Sequence, residues 1–185
     1  MCIEWKDNKS VIGKSGDWLL ARRSLETSPS GGNKAMNSRI LTIKDFENIS
    51  WHDCKIYGFA FDESKYKLYF DIDFISEWII PENNEKYYKF KIAPATLVFD
   101  NVWDVNFEID TNLSLDIDNI LKENPHTSKN KPEETEYEWS IELLQGEITF
   151  KSIGFKLYLR EEPQILSLKD RSFNKRGGVS FSTTI

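Results

Sequence analysis

The chain has 185 residues, a formal charge of −6 and a pI near 5.1, with 14% aromatic residues. A single domain of this size buries enough surface to fold without a disulfide or a structural metal, and the two cysteines, Cys2 and Cys54, make no disulfide framework. The negative field argues against a nucleic-acid partner. No apolar run approaches the ~20 residues that cross a bilayer and no export signal is legible, so a cytoplasmic location with reduced thiols is expected.

Residues 1–35 carry a local charge of +2 and leave −8 for residues 36–185. Ser28-Pro29-Ser30-Gly31-Gly32-Asn33 is a run of loop formers with no period, and a mobile N-terminal extension is expected over 1–35. Two readings stay open: an extension upstream of a start at Met36, or an arm anchored by Trp5 and Trp18. One β-rich domain is expected over 36–170, followed by a polar tail over 171–185. Thr42 to Asn48 reads as a short helix, with Thr42 as N-cap, Asp45 three residues on, and Leu41 and Phe46 as staple partners.

Lys67 to Phe74 alternates strictly. Leu68, Phe70, Ile72 and Phe74 share one side, and Lys67, Tyr69, Asp71 and Asp73 the other, which predicts a strand with one buried face. Cys54 to Phe61 is also strand-like, and Asp62-Glu63-Ser64-Lys65 supplies the turn of a hairpin. The apolar pattern sets the register, with Phe61 opposite Tyr66, Phe59 opposite Leu68, and Cys54 opposite Asp73. Pro81 to Asn84 reads as a turn. Tyr87 to Ile92 alternates, and Pro94 is expected to break the strand because it cannot donate to a ladder. Thr96 to Phe99 and Val105 to Ile109 are further strands. Residues 113–122 fit either a short helix or a strand. Lys122 to Thr135 reads as a long projecting loop carrying a solvated His126. Tyr137 to Leu143, a turn at Gln145-Gly146, Ile148 to Phe150, and Phe155 to Arg160 complete the series.

Three constellations are candidates for chemistry. The register puts Cys54 opposite Asp73, with Asp71 two residues along and His52 at the strand end, and such a set can ligate a divalent metal. The same residues also read as ordinary carboxylates on a solvated strand face. In Trp51-His52-Asp53, His52 is a candidate general base. Side chains of strand neighbours point opposite ways, so Asp71 or Asp73 would orient it better than Asp53. Trp51, Trp78, Trp103 and Trp139 either fill the core or floor a ligand groove. Signatures of nucleophilic catalysis, phosphate-cradling loops and zinc sites are missing from the sequence.

Ser50-Trp51-His52-Asp53, the strand from Leu68 to Ile75 with Trp78, and Ala93 to Phe99 resemble small uncharacterised bacterial proteins, several of them akin to immunity proteins that neighbour secreted toxins. The resemblance covers about residues 50–160 and implies no catalytic residue. The expected fold is α+β and mainly antiparallel, a sandwich or partly closed barrel with one or two short helices. The leading functional expectation is an immunity-like, protein-binding module whose acidic face meets a basic partner, with no cofactor. Two alternatives stand beside it: a small enzyme or metal-binding protein using His52, Asp71 and Asp73, and a small-ligand binder with an aromatic pocket. His52, Asp71, Asp73 and Trp78 are the candidate binding residues; the metal question is left open.

Overall fold

Alternating apolar residues with short polar turns leave this chain one economical solution, a pair of packed antiparallel sheets. A computed structural model describes residues 38–81, 87–110, 114–167, 170 and 173–185. The extension read at residues 1–35 and most of the turn read at 81–84 lie outside them. The strands are β1 (Ile40–Thr42), β2 (Lys55–Asp62), β3 (Lys67–Ile79), β4 (Lys89–Asp100), β5 (Trp103–Ile109), β6 (Leu115–Thr127), β7 (Thr135–Leu143), β8 (Gly146–Ser152), β9 (Gly154–Leu159) and β10 (Gln164–Leu166). Every pairing is antiparallel, in the order β1-β9-β4-β3-β2-β6-β7-β8-β5, with β10 beside β4. One layer runs from β1 to β2 and the other from β6 to β5. They join where Lys55 and Ile56 meet Asp116 and Leu115. The path does not close into a barrel, so the α+β, sandwich-like expectation holds.

The predicted apolar side of β3 is the interior. Leu68, Phe70 and Ile72 are 0% exposed and Phe74 is 1% exposed. At about 1.5–3 kcal/mol per buried side chain, these four contribute an amount comparable to the whole net stability of a domain. Aromatic rings bridge the layers. Phe99 of β4 lies 5.1 Å from Trp139 of β7 and 4.6 Å from Phe150 of β8, both edge-on, the geometry that ring quadrupoles favour. The expected helix at Thr42 is a 3-10 turn over Ile43–Asn48, and its capping box is present: the Asp45 carboxylate accepts from the Thr42 N–H at 2.8 Å and the Thr42 hydroxyl oxygen from Lys44. Six residues are short for an α-helix, and the turn's tertiary anchor is Phe46, whose ring meets Trp139 at 5.4 Å.

Several expectations are corrected. The β2–β3 register is shifted by two residues, with Phe61 opposite Leu68 and Phe59 opposite Phe70. A two-residue shift keeps every side chain on its face, so the pattern alone does not choose between the two. A bulge at Tyr57 then brings Ile56 opposite Ile72 and Lys55, rather than Cys54, opposite Asp73. Cys54 leaves the polar face altogether: it is 0% exposed and its sulfur accepts the Ile75 N–H. β4 continues through Pro94. The Pro94 carbonyl accepts from the Arg160 N–H, so its nitrogen faces the same neighbour, at the gap between β9 and β10 where no ladder donor is called for. Residues 115–127 are strand, and Pro125 is accommodated at a bulge between Glu123 and His126. The projecting loop therefore shrinks to residues 128–134, and His126 belongs to β6 and is paired rather than free in solvent.

Candidate functional site

The polar side of β3 is not a solvated face. Asp71 is 0% exposed and Asp73 is 4% exposed, and buried carboxylates at such depth demand partners. Arg176 supplies them from 105 residues away. Its two terminal nitrogens each lie 2.7 Å from an Asp71 oxygen, and its Nε lies 3.0 Å from Asp73. Arg160, at the end of β9, donates to the same Asp71 at 2.7 Å, and the Ser180 N–H donates at 2.9 Å. Tyr57, turned onto this side by the bulge, donates to Asp73 at 2.9 Å, and the Arg176 guanidinium lies 4.0 Å above the Tyr57 ring, a stacking for which arginine is suited.

Residues 173–185 of the segment read as a polar tail thus lie along the outer face of the first layer. The Thr96 hydroxyl donates to the Ser182 carbonyl at 2.7 Å, and Val179 sits over Gly58, where an added Cβ would stand 3.1 Å from it. Gly177 and Gly178, both at positive φ, turn the chain immediately after Arg176. Burial pushes the Asp71 carboxyl up, but Arg176, Arg160 and the Ser180 N–H outweigh it and hold the group below the ordinary carboxylate range. A carboxylate held ionised with four donors is a structural lock, and neither a proton acceptor nor an open metal ligand.

His52 lies elsewhere. Its Nδ1 is 3.1 Å from an Asp118 oxygen and its Nε2 is 3.7 Å from Asp53. The adjacent Asp53 reaches it because Asp53 has φ 62, a left-handed turn that breaks strand alternation. The ring stacks on Trp78 with centroids 6.0 Å apart, and Trp78 in turn meets Tyr88 edge-on at 6.0 Å. The four candidate residues therefore divide into two places: Asp71 and Asp73 in the arginine lock, His52 and Trp78 in an aromatic face at the surface. Among the described residues no group of three His, Cys, Asp or Glu side chains is placed to hold a metal ion.

Trp51 and Trp139 are core, at 3% and 1% exposed. A cleft of about 300 Å³ beside the lock is lined by Asp73, Ile92, Pro94, Leu166, Lys175 and Arg176, and not by aromatic rings. Among the described residues no helix is long and apolar enough to cross a membrane.

Fold and geometry define an antiparallel, sandwich-like β protein with an internal arginine lock and an external histidine–tryptophan face. No family model, curated protein or solved structure matches the chain.

Proposed function

We propose that this is a protein-binding module that meets a basic partner through the face built from His52, Trp78 and Tyr88, covering it as an immunity protein covers a toxin. The observation that carries the reading is an aromatic surface with a carboxylate rim. The His52 and Asp118 side chains are 49% and 53% exposed, and Glu77 stands at the same end of β3 with 51% of its side chain exposed, in an exposed ion pair with Lys91 at 3.6 Å that a basic partner can exchange. Tyr88, Tyr87 and Ile80 present further apolar area on the neighbouring strand ends. Rings of this kind anchor protein interfaces, and rim carboxylates steer a basic partner toward them. The stack and the Asp118 contact hold the His52 ring in one orientation before any partner arrives, which lowers the ordering cost of binding.

A benzophenone side chain at position 88 tests the reading by photo-crosslinking in the native cells. The expected result is one basic protein captured by the wild-type surface, lost with Trp78→Ala and weakened by high salt. The same captured set with Trp78→Ala as without it overturns the proposal.

A further inference from the structure

A third buried carboxylate lies in the other layer. Glu136 of β7 is 0% exposed. Its Oε2 accepts from the Trp103 indole at 2.6 Å and from the Ser128 hydroxyl at 3.4 Å, and its Oε1 lies 2.8 Å from His126 Nε2. The other ring nitrogen of His126 lies 2.8 Å from the Asn124 carbonyl oxygen. A carbonyl oxygen only accepts, and a carboxylate ringed by donors is ionised. A neutral imidazole carries one N–H and leaves one of the two contacts without a proton. The arrangement calls for the doubly protonated ring, a His126 imidazolium against a Glu136 carboxylate.

We propose that this pair is a proton-operated latch on the loop at residues 128–134, closed while the imidazole carries both protons and released when it loses one. Ser128, the first loop residue, is 1% exposed, donates to Glu136 and accepts from the Asn101 side-chain amide at 3.2 Å. The Ser128 N–H donates to the Glu134 carbonyl and closes the loop on itself. The Lys129 ammonium sits 5.1 Å above the Trp103 ring. His126 is 38% exposed, so water can take the proton while Glu136 stays enclosed. Its loss leaves one N–H for two acceptors, so a bare ring nitrogen faces an oxygen lone pair at either the Asn124 carbonyl or the Glu136 carboxylate, and the charge pairing with Glu136 is gone.

The carboxylates around the ring act in one direction. The Asn124 carbonyl first, and then the Glu136 carboxylate, hold the imidazole above its usual range, while burial opposes them. Glu138 on β7 adds to the rise and is itself bound by the Asn124 side chain at 2.7 Å. On the far side of Trp103, Lys151 of β8 is paired with Asp104 of β5 at 2.8 Å, and Lys129 completes the set. A folded-state value above the unfolded one means that the latch is fully closed below about pH 6.5 and opens as pH rises through the raised value.

Nitrogen-15 spectra of the histidine rings in the full chain, with amide exchange measured from about pH 6 to 9, test the latch. The expected result is a His126 ring protonated on both nitrogens at the acid end. The opening constants at Ser128 and Glu134, corrected for intrinsic exchange, should rise by up to tenfold per pH unit as the ring titrates. His126→Gln should remove that pH dependence. A neutral His126 ring at pH 6, or loop protection that stays flat while the wild-type ring titrates, overturns the proposal even if the variant does not fold.

Discussion

Asp71→Asn isolates the arginine lock. The amide keeps the shape of the carboxylate but not its charge, and it leaves Arg160 facing the neutral oxygens of Thr96 and Ser180 while Arg176 keeps Asp73. Their side chains are 10% and 6% exposed and that of Asp71 is 0% exposed, so water screens little of the loss. Removing one partner of such a buried set costs about 3–5 kcal/mol. For a domain of this size each kcal/mol lowers Tm by about 2–4 °C, which predicts a fall of about 6–20 °C. Urea unfolding followed by far-UV circular dichroism measures the change directly. Asp71→Asn combined with Arg176→Gln should cost less than the two singles added, because the second change removes the uncompensated charge of the first. A loss below about 1 kcal/mol, the size of an exposed pair, would refute the view that the outer face of β3 is interior.

Acid should act through the same group. The Asp71 carboxyl is held below its ordinary range, so its contribution is complete above about pH 4 and is lost as pH falls through the depressed value. Stability measured from pH 5 to 2 should therefore drop more steeply for the wild type than for Asp71→Asn, and parallel curves would contradict this. Gly146 opens β8 at φ 139, and a Cβ there would stand 1.9 Å from the Glu108 carbonyl oxygen. Gly146→Ala should cost about 2–3 kcal/mol in the same urea assay, and a neutral result would contradict the turn geometry.

The alternation from Lys67 to Phe74 was legible because its two faces meet different surroundings, and it located the core strand correctly. The bulge at Tyr57 was not legible, since a bulge adds one residue without altering composition, and the register and the place of Cys54 went with it. Asp71 and Asp73 looked like surface carboxylates because the positive charge nearest on their face, Lys67, lies at the strand start and pairs with Asp100 instead. The arginines lie 89 and 105 residues downstream of Asp71, and an Arg in a polar segment gives no local sign of where it docks. The Arg176-Gly177-Gly178 triplet was the available hint, since paired glycines after an arginine suit a chain that must turn away at once. His52 and Trp78 were singled out for chemistry and position. Their mutual stacking joins a loop residue to the far end of β3, a pairing no periodicity encodes. His126 was misplaced because Pro125 argued for a loop, whereas at a bulge proline is compatible with a strand.

The proposed division of labour between an inner lock and an outer recognition face is tested most directly by comparing two variants in one capture assay. Trp78→Ala, which also loses packing against Phe90, should abolish partner capture at a temperature where the variant is still folded, and Asp71→Asn should keep capture at low temperature while melting well below the wild type. Capture lost with Asp71→Asn in its folded state and retained with Trp78→Ala would contradict the account.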